Sequence, residues 1–123
     1  MLFTLLLNII SIAIRIKAKT NKSIKEMISI RNAAYVIKTK DGKRGRRFLF
    51  RKGKYSSDTV LDDCDLALVF EDAAIGFKAL ALDGPTGMTK AMNSFQLTLV
   101  GNHKIFNFFA LTIGVSMGMV KRK

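Results

Sequence analysis

The residues whose types could run covalent or metal chemistry are few: one cysteine, Cys64, one histidine, His103, and the aspartates Asp58, Asp62, Asp63 and Asp65. A thiol and an imidazole make a nucleophile only when they meet across the fold and a third group orients the ring. His103 follows a Gly-Asn turn and is expected to be exposed. The aspartates match no EF-hand spacing and read as a solvated loop facing a basic half. Gly84-Pro-Thr-Gly-Met-Thr-Lys90 resembles a phosphate loop only superficially, because the Gly-x4-Gly-Lys-Ser/Thr spacing that brings backbone amides and lysine together fails; it reads as a turn between helices. No catalytic residue, metal or cofactor is expected. A single cysteine excludes an intramolecular disulfide and fits a reducing compartment.

Binding chemistry has more support. The chain has 123 residues, of which 49% are hydrophobic, with a net charge of +12. Its mean hydropathy is +0.19, an apolar excess that suggests a lipid-facing surface, an internal apolar cavity, or both. Charge is unevenly placed: residues 1–57 hold fifteen Lys/Arg against Glu26 and Asp41, whereas residues 58–123 hold six against seven acids. A positive field of this kind draws anionic membranes or nucleic acid. Lys38, Lys40, Lys43, Arg44, Arg46, Arg47, Arg51, Lys52 and Lys54 form a basic hairpin that could hold phosphate groups. Each such residue near an anionic bilayer contributes about 1 kcal/mol. A merely solvated face is the plainer alternative, and nucleic acid is the weakest, since no recognition helix is evident, and Phe48 and Phe50, which alternate with basic residues, are expected to point inward.

These residues need elements to position them. Residues 2–16 form an apolar helix whose polar residues Thr4, Asn8, Ser11 and Arg15 recur in steps of four, three and four and share one stripe. The apolar run breaks at Arg15 and Lys17, short of the roughly 20 residues needed to span a bilayer. A secretory signal would need positive charge before the run, not after it. An amphipathic helix covering the domain or lying in a membrane interface is expected. Ser23-Ile-Lys-Glu26 is a capping box for a short second helix. Tyr35–Lys40, Arg46–Lys52 and Lys54–Ser57 read as strands around an Asp41-Gly42 turn. Asp65–Phe70 is a fourth strand, and Glu71 and Asp72 follow at a helix N-terminus, where negative charge is favoured. That helix stops at Asp83-Gly84-Pro85, and Met88–Asn93 add a turn or two. Phe95–Val100 form a last strand, with Phe95, Leu97 and Leu99 on one face. Lys104–Met119 is apolar on nearly every side. Within it Gly114-Val-Ser-Met-Gly118 has a small-xxx-small spacing that permits close helix contact.

In this order the elements resemble the sterol carrier protein 2-like domains. The resemblance covers roughly residues 33–113. It rests on the Lys40-Asp41-Gly42 hairpin, the Cys64-Asp-Leu-Ala-Leu-Val-Phe70 strand entering an acid-capped helix, and Thr89-Lys-Ala-Met92 before Phe95-Gln-Leu-Thr-Leu-Val-Gly-Asn102. It implies an α+β fold: a mainly antiparallel five-stranded sheet covered by helices, enclosing an apolar tunnel for a fatty acyl chain, sterol or related lipid. It also implies a carrier, not a catalyst. The apolar opening helix, the basic first half and the Phe- and Met-rich last helix depart from the family pattern and suggest closer membrane engagement.

A lipid site needs an apolar concavity with few polar anchors, and Met tolerates varied ligand shapes. Phe106, Phe109, Ile113 and Met117 share one helical face that could line such a space. Phe70, Phe77, Met88, Met92 and Phe95 lie near the expected helix–sheet junction. The plainer alternative is that each simply fills the core. The expectation is therefore one domain over 1–123, with 1–31 a helical N-terminal part packed on it or in a membrane interface. It would be cytoplasmic and peripherally membrane-associated, with a long apolar ligand and an anionic membrane surface as partners. An enzyme partner receiving a lipophilic substrate such as a quinone precursor is a further alternative.

Overall fold

The computed structural model describes residues 2–20, 22, 25–26, 32–51, 53–82 and 87–116. Five strands, β1 (Ala33–Thr39), β2 (Gly45–Arg51), β3 (Lys54–Asp58), β4 (Leu66–Phe70) and β5 (Leu97–Gly101), form one sheet of order β3-β2-β1-β4-β5. Three pairings are antiparallel, and the central β1–β4 pairing is parallel, so the sheet is mixed but mostly antiparallel. The helices are α1 (Leu2–Thr20), α2 (Ala73–Phe77), which runs on as a π-helical turn Lys78–Leu82, α3 (Gly87–Asn93) and α4 (Phe106–Ser116), the last entered through a 3-10 turn at His103–Ile105.

Strand alternation sets the sidedness of the sheet. Ala33, Tyr35 and Ile37 of β1, Phe48 and Phe50 of β2, and Leu66, Leu68 and Phe70 of β4 all project to one face and are buried in a single core. Register stacks them into rows: Tyr35 sits between Phe48 and Leu66, and Phe70 pairs with Leu97. The helices cover this face. Phe3, Leu6, Leu7, Ile10 and Ile14 of α1 and Phe109 and Ile113 of α4 close the core from above. Tyr35 and Phe109 stack with ring centroids 4.2 Å apart and planes 7° from parallel. Phe48 and Phe50 complete the aromatic cluster around them.

Ala34 and Val36 face the other side, yet they too are buried. To reach β4 from β3, residues 59–65 must cross β2 and β1, and they do so on this outer face. Arg47 clamps the crossing: its Nε and Nη2 donate to the Asp58 carboxylate at 2.9 and 2.6 Å, and Nη1 donates to the Asp63 carbonyl at 3.0 Å. Asp65 closes it, its carboxylate accepting from the Ala34 amide at 2.7 Å.

The expected strands are all present, but the last begins at Leu97 and not at Phe95. Asp72 caps α2 as an acidic N-cap, its Oδ1 accepting from the Ile75 amide at 2.9 Å. The α1 helix extends past Ile16 to Thr20. Most of the expected capping box and the helix to about residue 31, the Asp83-Gly84-Pro85 breaker, Gly118 and the C-terminal Lys121-Arg122-Lys123 lie outside the described residues.

Candidate functional site

At about 100° per residue, α1 divides into three sectors rather than two. The first, Phe3, Leu6, Leu7, Ile10 and Ile14, is the buried one. The polar stripe forms the second, and it turns towards β2, β3 and the turn that enters β2: Thr4 accepts from Arg44 at 3.3 Å, Asn8 accepts from Arg46 at 3.0 Å, and the Ser11 hydroxyl bonds the Tyr55 hydroxyl at 2.8 Å. Arg15, last in the stripe, lines a cleft of about 280 Å³ with Ala18, Lys19, Gly53, Lys54 and Tyr55. Burial pushes the Tyr55 phenol above its ordinary pKa, so the hydroxyl stays protonated beside these cations.

The third sector faces outward and is apolar. Leu5, Ile9, Ile12 and Ile16 recur at steps of four, three and four and are 55, 44, 58 and 54% exposed. The polar stripe is legible in the sequence as a break in an apolar run, whereas this row is not distinguished there from the buried one. The same wheel contained it, offset from the polar stripe by one step of about 100°. Four large aliphatics thus form one exposed row along the helix, unlike apolar residues exposed singly.

The basic hairpin does not act as one patch. Arg47 is engaged by Asp58 and Asp63, its side chain only 13% exposed. Arg44 and Arg46 bond α1. Lys40 lies 3.7 Å from Glu71. Lys43, Arg51 and Lys54 are exposed and Lys38 is half-buried. Lys52 lies outside the described residues. Phe48 and Phe50 are fully buried, so no exposed aromatic interleaves with these cations.

The residues expected to line a tunnel have separate fates. Phe70, Phe109 and Ile113 are buried in the core, with Phe77, Met88, Met92 and Phe106 packed half-buried against it. Met117 lies outside the described residues. Phe95 is the exception: it is 88% exposed. Its φ of 59° explains why. It occupies the left-handed position that ends α3, with the Phe95 amide donating to Met92 at 3.1 Å and the Gln96 amide to Ala91 at 2.8 Å. This paired closure normally carries glycine. The turn withdraws Phe95 from the strand face it was expected to share with Leu97 and Leu99.

Cys64 and His103 do not form a pair. The His103 ring bonds the Leu99 carbonyl at 2.9 Å, and burial raises the Cys64 thiol pKa, which disfavours the thiolate. Among the described residues no three His, Cys, Asp or Glu side chains come together to hold a metal, and no helix is long and apolar enough to cross a membrane.

A mixed sheet with one parallel central pairing, its inner face roofed by helices, makes this an α+β domain, and its fold is like that of sterol carrier protein 2-type structures. Three solved structures share this fold. The UbiJ-SCP2 ubiquinone synthesis protein superposes with a TM-score of 0.63 at 12% identity, covering 89% of this chain and 96% of that one. A conserved hypothetical protein of Thermus thermophilus, described as possibly a sterol carrier protein, gives 0.56 at 12% identity over 92% and 87%. The sterol carrier protein domain 2 of Helicoverpa armigera gives 0.53 at 13% identity over 94% and 91%. These matches take in more of the chain than the segment 33–113 on which the sequence resemblance rests. No protein-family model and no curated protein matches the sequence.

Proposed function

We propose that this domain binds and carries a long apolar ligand, an acyl chain, sterol or isoprenoid, held between the inner sheet face and the helices that roof it. It docks on anionic membranes to exchange that ligand. The observation that carries the reading is the character of α1, which is apolar both towards the core and towards solvent while cations gather at its C-terminal end. A roof of that kind suits a protein that works at a bilayer surface. The sterol carrier-type fold supports the same reading, as does a core face made of Phe, Tyr, Leu and Ile with few polar anchors.

Docking combines two terms. The row Leu5, Ile9, Ile12 and Ile16 enters the headgroup–acyl boundary, and Arg15, Lys19 and Lys54 hold lipid phosphates beside it. The ligand would occupy the space now filled by the Tyr35–Phe109 stack, so loading requires α4 to move relative to β1. Native mass spectrometry of the freshly purified chain, followed by solvent extraction, tests carriage: a co-extracted acyl, sterol or isoprenoid compound is expected. A chain that arrives empty and takes up no fluorescent fatty acid would end the carrier reading.

A second reading has one observation in its favour. The UbiJ-SCP2 structure, whose name assigns it to ubiquinone synthesis, matches over nearly its whole length. On this reading the domain presents a lipophilic quinone precursor to enzymes instead of moving lipid between membranes. Affinity capture of the intact chain would then retain enzymes acting on that precursor, together with the precursor itself.

A further inference from the structure

A second cleft, of about 420 Å³, shares no residue with the core stack or the docking face: it is lined by Ile75, Lys78, Ala79, Lys90, Ala91, Ser94 and Gln96. Its size falls within the range of small-ligand sites. Its walls divide by chemistry. Ile75, Ala79 and Ala91 supply an apolar floor, Ala79 and Ala91 being buried. Lys78 and Lys90 bring two ammonium groups, and Ser94 and Gln96 bring a hydroxyl and a carboxamide. Among the described residues neither lysine meets a carboxylate.

Two irregularities of the backbone bound this cleft. On one side the helix that starts at Ala73 widens into the π-helical turn Lys78–Leu82, which carries Lys78 and Ala79. Such turns are uncommon and recur at functional sites. On the other side α3 closes through the left-handed Phe95, which stands in sequence between the lining residues Ser94 and Gln96 and leaves its ring in solvent. A bulky residue in that conformation is strained where glycine would be relaxed. One departure from regular helix carries two of the lining residues, and the other stands in sequence between two more.

We propose that this cleft binds the anionic head, a carboxylate or a phosphate, of a single-chain amphiphile. The head lies between the Lys78 and Lys90 ammonium groups with Ser94 and Gln96 completing its hydrogen bonds. The first carbons of the chain rest on Ile75, Ala79 and Ala91. Two cations with flanking neutral donors match an oxyanion. The apolar floor distinguishes an amphiphile from a free anion. The site is separate from the space beneath Tyr35 and Phe109 and stands or falls independently of ligand carriage there.

The test uses the full chain with three probes, decanoate, decanol and inorganic phosphate, followed by NMR of the Ala79 and Ala91 methyls, the Ser94 and Gln96 amides and, as the comparison site, the Tyr35 and Phe109 signals. Decanoate should saturate these signals, with decanol and phosphate each at least about tenfold weaker, because each lacks one half of the recognition. A Lys78→Gln/Lys90→Gln double variant should weaken decanoate about tenfold and leave decanol unchanged. Both lysines are exposed, so the fold should persist by circular dichroism, and the single variants provide a check if it does not. Equal affinity for decanol and decanoate would overturn the anionic head. Equal affinity for phosphate and decanoate would overturn the amphiphile. Decanoate shifts confined to Tyr35 and Phe109 would overturn the site itself while leaving the carrier function standing.

Discussion

Replacing Ile9 and Ile12 by glutamine should loosen the domain from anionic vesicles by a factor that the structure fixes in advance. The two side chains are 44 and 58% exposed, so about half of each remains to be buried on docking. Full burial of an isoleucine is favourable by about 2 kcal/mol, which leaves about 1 kcal/mol per residue and about 2 kcal/mol for the pair. Partitioning onto phosphatidylserine/phosphatidylcholine vesicles should therefore fall about 30-fold. Glutamine keeps a long aliphatic stem and is a good helix former, so thermal stability should move by less than about 1 kcal/mol.

Salt separates this term from the electrostatic one. Neutralising Arg15, Lys19 and Lys54 should weaken binding steeply at low ionic strength and little at high, because exposed charges are screened. The Ile9→Gln/Ile12→Gln loss should be the same factor at both. Co-sedimentation with vesicles over a salt series measures both effects. A change below about threefold at every salt concentration would refute docking through this face. So would a wild-type chain that self-associates through α1, becomes monomeric in the variant, and binds vesicles equally in both forms.

Three further outcomes follow from local geometry. At Gly76 an added methyl would sit 2.5 Å from Cε1 of the buried Phe3 ring, so Gly76→Ala should destabilise by about 1–2 kcal/mol despite the gain in helix propensity; urea unfolding measures it, and Phe3→Leu in the same chain should recover part of the loss. Phe95→Gly relieves the left-handed strain at an exposed site and should raise stability by about 1 kcal/mol; a loss by calorimetry would mean that the Phe95 ring contributes contacts that its exposure does not suggest. The hydrogen bonds from Arg47 hold the Asp58 carboxyl below its ordinary value of 3.8. This depressed pKa contributes stability that is present above pH 3.8 and lost as pH falls through the folded-state value. Arg47→Gln should therefore be less stable than the wild type near neutrality and approach it in acid, and parallel denaturant curves at neutral and acid pH would reject the assignment.

Much of this fold is written in short-range pattern. The alternation through Arg46–Lys52 separated Phe48 and Phe50 from Arg47, Leu49 and Arg51, and burial divides those residues in the same way. The acidic start of α2 and the Gly-Asn turn after β5 were equally legible, since each depends on one or two residues and their immediate backbone. Phe95 was not. Whether the C-terminal position of a short helix turns left-handed depends on how α3 meets β5, and a phenylalanine there gives no glycine signal. Arg47 was misjudged for a related reason. Its partners Asp58 and Asp63 come from a crossing segment whose path over the sheet is set by strand order, which periodicity cannot supply.

The same reasoning limits what a net charge of +12 says about partners. Nucleic-acid affinity scales with cations free to meet phosphates. In the hairpin Arg47, its side chain 13% exposed, holds the chain crossing; Arg44 and Arg46 fix α1 to the sheet, and Lys40 faces Glu71. Among the described residues the hairpin's other cations are dispersed, except that Lys54 meets Arg15 and Lys19 at the end of α1. There the cations adjoin Ile12 and Ile16, so the concentrated charge lies beside exposed aliphatic surface. A polynucleotide gains little from such a row of aliphatics, which offers no ring on which to stack a base. On the proposed reading a bilayer would satisfy both halves at once, its phosphates meeting the cations and its acyl boundary the row. The position of the charge, more than its amount, therefore favours a lipid surface as the partner.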